Sequence, residues 1–178
     1  LGEGDGRIAP RAKPRPKPTA PPDPSGDVFA GLKVWDASWA AVGPLTARYL
    51  ADYGATVVHT ESSRSIDVLR RQEPFKDGVR GLDRSQFWAE FNPSKLGLGV
   101  NFATPEGHAI AMRLAEWADV VIESFSPGVM AGLGIDYPKL RAVNPRLVMV
   151  STSMNGQTGP RRRFFGFGNL LAAMAGFV

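Results

Sequence analysis

Cysteine is absent from the 178 residues. Disulfide frameworks, Cys-ligated zinc, iron–sulfur clusters and thiol nucleophiles are therefore excluded together. Long apolar runs are also missing, and none approaches the ~20 residues that span a bilayer as a helix. Histidine is scarce: His59 and His108 stand apart with no second ligand at metal spacing, so both are expected to pack or face solvent, and no metal is expected. Neither a G-x-G-x-x-G phosphate loop nor a G-x-S-x-G nucleophile elbow occurs, which disfavours a dinucleotide fold of the usual kind and a serine hydrolase. The start, Leu1-Gly2-Glu3, has no initiator Met and no basic-then-apolar secretory signal. A cytoplasmic chain cut from a longer one is the expectation. The net charge of +4 invites a nucleic-acid reading. Residues 1–27 carry only one of those charges and the rest are dispersed, so no concentrated basic footprint exists. Neither nucleic acid nor membrane is expected as a partner.

What is present divides the chain in two. Residues 1–27 hold 7 of the 15 prolines and almost no large apolar side chains. Such a stretch favours extended conformations and cannot bury enough surface to fold, so it reads as a Pro-rich disordered linker. From Val28 the texture changes. Leu32 to Trp35 reads as a strand ending at Asp36. Gly43-Pro44 opens a helix with an apolar face of Leu45, Tyr49, Leu50 and Tyr53, stopped by Gly54. Ala55 to Thr60 is a second strand, completing a β-α-β unit. Residues 62–93 are polar and irregular. Leu96 to Phe102 is a weak strand with two glycines. Thr104-Pro105-Glu106 starts a helix with a buried stripe of Ile110, Leu114 and Trp117. Asp119 to Glu123 is a strand, Pro127 to Leu133 a short helix, Tyr137 to Val143 another, and Leu147 to Ser151 a further strand. Asn169 to Val178 is helix-like and stops inside its own apolar run, as a truncated segment would. Alternating helices and nearly continuous apolar strands predict an α/β fold: a Rossmann-like parallel sheet with helices on both faces, over 28–178 and incomplete at its C-terminus.

In such folds ligands sit beyond the carboxyl ends of the strands, so the loops after Asp36, Glu61, Glu123 and Ser151 are the candidate site. Asp36, Glu61, Asp119 and Glu123 lie at strand ends or starts, and no pair stands out as an acid–base couple. Arg161-Arg162-Arg163 follows a flexible Asn155 to Pro160 stretch and can pair with phosphate or carboxylate, or form a solvated charge run. Lys95, after Asn92-Pro93-Ser94, is another turn-borne cation.

Taken in order, several blocks resemble a known pattern. Gly31 to Asp36, Gly43-Pro44, and Leu50 to Val58 with Glu61 look like the opening of a class III CoA-transferase. The similarity continues through Asn92 to Lys95, Thr104 to Gly107 and Ala118 to Gly128. Leu133-Gly134, Asn144 to Leu147 and Gly156 to Pro160 extend it, covering about 29–178. The family includes formyl-CoA transferase, carnitine CoA-transferase and alpha-methylacyl-CoA racemase.

The resemblance implies the CoA-binding N-terminal part of an enzyme that moves CoA between carboxylic acids through anhydrides on an aspartate. Acyl-CoA and a carboxylic acid would be its substrates, no metal would be needed, and the full-length parent would be a homodimer. CoA contacts are implied at Trp39, Ala40 and Ala41 after the first strand, and at Ser62 and Arg64 after the second. Lys95, Ser124, Phe125 and Ser153 complete the implied set. Trp39 and Phe125 offer flat apolar faces for adenine or the pantetheine arm, and Arg64 or the 161–163 run offers charge for phosphates. The departures are specific: Trp39 and Ala41 replace polar residues of formyl-CoA transferase, Ser62 replaces an arginine, and Ser124 an asparagine. Phe167-Gly168 offers neither partner of the racemase His–Asp pair, which disfavours racemisation. The transferase aspartate falls shortly beyond Ala173 to Gly176, so it is expected after residue 178 and this chain is expected to be inactive alone. The alternatives are an acyl-CoA racemase or isomerase and a non-catalytic acyl-CoA-binding or assembly module. The Pro-rich leader suggests a preceding domain, with a tandem copy of the same fold as one arrangement.

Overall fold

The computed structural model describes residues 26–177. All but the last two residues of the expected linker lie outside the described residues, as does Val178. Five strands form one parallel sheet: β1 (Lys33–Ala37), β2 (Thr56–Glu61), β3 (Leu96–Gly99), β4 (Val120–Glu123) and β5 (Val148–Ser151). Their spatial order is β3-β2-β1-β4-β5. The chain winds outward from β1 to β3, then returns to the other side of β1 for β4 and β5. The order therefore reverses between β1 and β4, and their carboxyl ends flank the crevice where ligands bind in open α/β sheets.

The helices are α1 (Val42–Asp52), α2 (Gln86–Phe91), α3 (Pro105–Trp117), α4 (Val129–Gly132), α5 (Tyr137–Val143) and α6 (Gly168–Met174). Successive strand residues point to opposite faces, and two cores result. Val34, Val57 and Ile122 pack with Ala47 and Ala51 of α1 on one face. Trp35, Ala37 and Val121 pack with Ala111, Ala115, Met130 and Leu140 of α3, α4 and α5 on the other. Helices on both faces are thus established, as the strand composition predicts.

The helix faces differ from expectation. In α1 the buried residues are Gly43, Pro44, Ala47 and Ala51, while Tyr49 and Tyr53 are exposed. In α3 they are Gly107, Ala111 and Ala115, with Ile110 exposed and Leu114 and Trp117 only partly buried. Small side chains let each helix axis lie close to the sheet, and the larger apolar residues cover the flanks. The start of α3 agrees with the sequence: Thr104 accepts from the Gly107 amide at 3.1 Å, with Pro105 in the first turn.

Other boundaries shift for local reasons. β3 ends at Gly99 rather than Phe102, because Asn101 turns the chain by accepting from the Ala103 amide at 3.1 Å. The stretch 62–93 is not merely irregular. It forms single 3-10 turns at Val68–Arg71 and Lys76–Gly78 and the helix α2, whose Ser85 cap is buried. α6 stops at Met174, and its residues are largely exposed.

Candidate functional site

Beyond the carboxyl ends of β1, β2 and β4 lies a cleft of about 310 Å³. Trp39 from the loop after β1, Ser62 and Ser65 after β2, and Phe125 after β4 line it, with Phe102 and Leu133 along its side. Trp39 and Phe125 meet edge to face with ring centroids 5.3 Å apart. The indole Nε1 of Trp39 is buried with no hydrogen-bond partner among the described residues. A buried donor left in that state costs roughly 1–3 kcal/mol.

The loop carrying Trp39 is held amide by amide. The Ser38 amide donates to Asp36 Oδ1 at 3.1 Å, and the Ser38 hydroxyl makes a short bond to the same oxygen. The Trp39 amide donates to Ser124 Oγ at 2.7 Å, and that hydroxyl donates back to the Trp39 carbonyl at 2.9 Å. The Ala40 amide donates to both carboxylate oxygens of Asp67 at 3.2 Å. Ala40 itself sits at φ 63°, in the left-handed region.

Beneath this loop is a cluster of buried charge. Asp36 neighbours His59 in the β1–β2 register, and Asp36 Oδ2 lies 3.0 Å from His59 Nδ1. Lys95 Nζ donates to Asp36 Oδ2 at 2.8 Å, to the Pro44 carbonyl at 2.8 Å and to Asn92 Oδ1 at 2.9 Å. Glu61 takes a two-pronged contact from Arg70 Nε at 2.7 and 3.1 Å and lies 3.8 Å from His59 Nε2. Arg70 also reaches Asp83 and stacks 3.5 Å over the Trp88 ring.

These neighbours set the titration. Burial opposes ionisation of Asp36 most strongly, but the His59 hydrogen bond and the Lys95 charge outweigh it and hold its carboxyl below the usual range. His59 is likewise opposed by burial, yet its hydrogen bond to Asp36 and the nearby Glu61 carboxylate raise it above the ordinary imidazole value. For Glu61, burial is again outweighed, by His59 and Arg70, and its pKa falls. Burial dominates at Asp67 and raises it, and burial dominates at Lys95 and lowers it.

The implied site residues divide accordingly. Trp39, Ser62 and Phe125 come together in the cleft wall, with Ser124 directly beneath. Ala40 and Ala41 form the rest of the loop, and Ala41 is the residue before α1. Arg64 is exposed in the turn between Ser62 and Ser65. Ser153 follows β5, away from these walls, with a buried hydroxyl that has no partner among the described residues. Two expectations need correction. Lys95 is not an open turn-borne cation: its side chain is 2% exposed and three protein acceptors occupy its ammonium. His59 is not isolated, because donor atoms of His59, Glu61 and Asp67 lie within 4.8 Å of one another. Those three can ligate a cation in principle, but the Arg70 guanidinium already faces both Glu61 oxygens and opposes one there.

Of the strand-end acids, Asp119 lies just before β4, at the amino-terminal end of the strands and away from the cleft, accepting from the Lys33 amide at 3.1 Å. Glu123 is buried at the carboxyl end of β4, accepts from the Phe125 amide at 2.7 Å and borders a separate cavity of about 340 Å³ with Asp136, Ser151 and Gln157. Asp67 and Arg70, both central here, were hidden in a stretch that reads as polar loop. The available signal was an Asp two residues before the apolar Leu69, the pattern of a turn cap, and Asp67 accepts from the Leu69 amide at 2.9 Å.

The fold and cleft together define a parallel α/β unit with a cleft at its strand-order reversal. The chain belongs to CoA-transferase family III, whose family model matches residues 29–178. It is 35% identical over 152 residues to the succinate–glutarate CoA-transferase of Agrobacterium fabrum, covering 84% of this chain and 38% of that protein. Succinyl-CoA–D-citramalate CoA-transferase of Chloroflexus aurantiacus is 35% identical over 156 residues, with 88% and 37% covered. A probable CoA-transferase of Mycobacterium tuberculosis, Rv1866, is 34% identical over 173 residues, 96% of this chain and 21% of that protein. Among solved structures, a CAIB/BAIF family protein from Brucella suis superposes with a TM-score of 0.76 at 33% identity, covering 84% of this chain and 39% of that one. The chain thus spans well under half the length of these relatives.

Proposed function

We propose that this chain is the CoA-binding part of an enzyme that moves CoA between carboxylic acids, and that the cleft between Trp39, Ser62 and Phe125 receives the CoA thioester. The observation that carries the reading is the convergence of these three residues at the β1–β4 reversal. Flat apolar rings suit adenine or the pantetheine arm, the Ser62 and Ser65 hydroxyls suit amides or phosphate oxygens, and exposed Arg64 supplies charge beside them. Ser124, Ala40 and Ala41 shape the loop, Lys95 acts from below by fixing Asp36, and Ser153 borders the next strand tip. The exchange itself, through anhydrides on an aspartate carboxylate, falls to a residue beyond 178, so the chain alone binds without turning over. The parent acts as a cytoplasmic homodimer.

Both named curated relatives with a defined substrate pair handle a succinate group, which makes succinyl-CoA the suitable probe. Calorimetry with CoA and succinyl-CoA is expected to show saturable binding, weakened at least tenfold in Trp39→Ala, about 1.4 kcal/mol. No heat and no thermal shift at millimolar ligand would refute the binding reading. Acyl exchange by the purified chain would refute the placement of the nucleophile.

A further inference from the structure

We infer that Asp67 is a positioning residue of the cleft: its buried carboxylate clamps the Ala40 amide and so holds the Trp39 loop in its ligand-receiving shape. The inference rests on the proposed binding of CoA thioesters in that cleft. Asp67 is fully buried, and its oxygens accept from two backbone amides, Ala40 and Leu69. Its hydrogen-bond donors are backbone amides, with His59 as a nearby charge, and the capping of one 3-10 turn is a small return for burying a carboxylate. A neutral Ser or Asn would cap that turn as well.

Ala40 carries a backbone constraint of its own. A non-glycine residue at φ 63° is held there only when its surroundings over-determine it, and such residues gather at ligand clamps. Its amide has one acceptor group, the Asp67 carboxylate, reached by both oxygens. Next in the chain, Trp39 has its own amide and carbonyl fixed by Ser124, so the two flanking residues 38 and 40 decide where its ring points. Ser38 is fixed by Asp36 within the same strand end. Among the described residues, Asp67 is the hydrogen-bonding side chain that restrains the loop from outside the ends of β1 and β4. Its own amide donates to Glu61 Oε1 at 3.3 Å, which ties the clamp to the end of β2 on the far side of the cleft. The three strand tips are thereby locked to one another through this residue and Ser124.

The test uses the 178-residue chain labelled with 5-fluorotryptophan, whose four fluorine signals are assigned by replacing one tryptophan at a time. In Asp67→Ala the Trp39 signal is expected to shift or broaden, and affinity for CoA to fall about tenfold or more, as for loss of a hydrogen bond to a charged group. Asp67→Asn keeps an acceptor where Oδ1 now meets both amides, so it is expected to restore the signal and bring affinity within about threefold of the parent chain. Adding Ala40→Gly to Asp67→Ala is expected to recover part of the affinity, because glycine reaches the left-handed region without a clamp. A role confined to capping predicts otherwise: a lower Tm, an unmoved Trp39 signal, unchanged affinity and no effect of Ala40→Gly. That outcome overturns the inference. Should Asp67→Ala not fold, amide exchange in the parent chain decides. Slow exchange at Ala40 supports the clamp, and exchange at the rate of an open loop overturns it. If the parent chain does not bind CoA, the binding reading fails, while the fluorine and exchange signals still judge the clamp itself.

Discussion

Replacing Lys95 with methionine keeps the apolar stem as far as the ε-carbon but takes the ammonium away from a carboxylate that is fully buried. Asp36 is 0% exposed and the Lys95 side chain 2%, so neither member of the pair is solvated. All three Lys95 protons are used, on Asp36, Pro44 and Asn92, and methionine returns none of them. Removing one partner of a buried pair costs about 3–5 kcal/mol, chiefly because the other charge is left behind. His59 and Ser38 still touch Asp36, which places the expected loss near the lower end, about 3 kcal/mol. For a domain of this size that corresponds to a fall in Tm of about 6–12 °C. Urea unfolding followed by far-ultraviolet circular dichroism at neutral pH measures it, with an unchanged m-value showing that stability and not compactness moved. Combining Lys95→Met with Asp36→Asn removes the stranded charge, so the double variant is expected to be more stable than Lys95→Met alone by at least about 1 kcal/mol. A loss below about 1 kcal/mol in the single variant, the range of an exposed ion pair, would refute the view that this cluster is dry and that Lys95 holds Asp36 in place.

The His59 cluster makes stability depend on pH in a stated direction. Because the folded pKa of His59 lies above the ordinary 6.5, its protonated form stabilises the fold fully below that value, and the contribution fades as pH rises through the higher folded one. Urea midpoints measured from about pH 6 to about pH 9 are expected to fall in the parent chain and to flatten in His59→Gln; equal slopes would contradict the pairing. At the start of α3, a methyl group on Gly107 would overlap the Asn101 carbonyl, so Gly107→Ala is expected to cost about 1–3 kcal/mol or more. Gly132→Ala, where nothing lies within 4 Å of the added carbon, is expected to be neutral or slightly stabilising, and equal losses at both positions would count against the close approach of α3 to the Asn101 turn.

Much of the architecture was legible because it rests on local pattern. Apolar β-branched runs, Thr104-Pro105 and Gly54 mark strands and helix ends within a few residues, and the alternation of the two implies a parallel sheet. The buried helix faces were not legible, since the large apolar residues of α1 and α3 suggested one stripe while glycine and alanine make the contact. Residues 62–93 escaped for a related reason. That stretch packs through polar groups, such as Ser85 Oγ donating to the Leu69 and Gln72 carbonyls and Arg70 on Trp88, and these leave no apolar period to read. The cleft residues Trp39, Ser62 and Phe125 could be picked out because the family resemblance implies them, and each lies within two residues of a strand end. The cluster below them could not, because Asp36, His59 and Lys95 meet only through the register of β1 on β2 and the turn before β3.

The missing glycine-rich loop has a structural counterpart in that cluster. A G-x-G-x-x-G turn gains its shape from residues that reach unusual φ freely, and here the equivalent position is filled by Ser38, Trp39 and Ala40. Their three consecutive amides go to three different side chains, Asp36, Ser124 and Asp67, so the conformation is imposed from outside instead of permitted from within. An imposed turn can carry a large side chain where a glycine turn cannot. That is how a tryptophan comes to stand in the cleft wall, and why two acids without a place in the cleft lining, Asp36 and Asp67, are buried beside the loop that forms it.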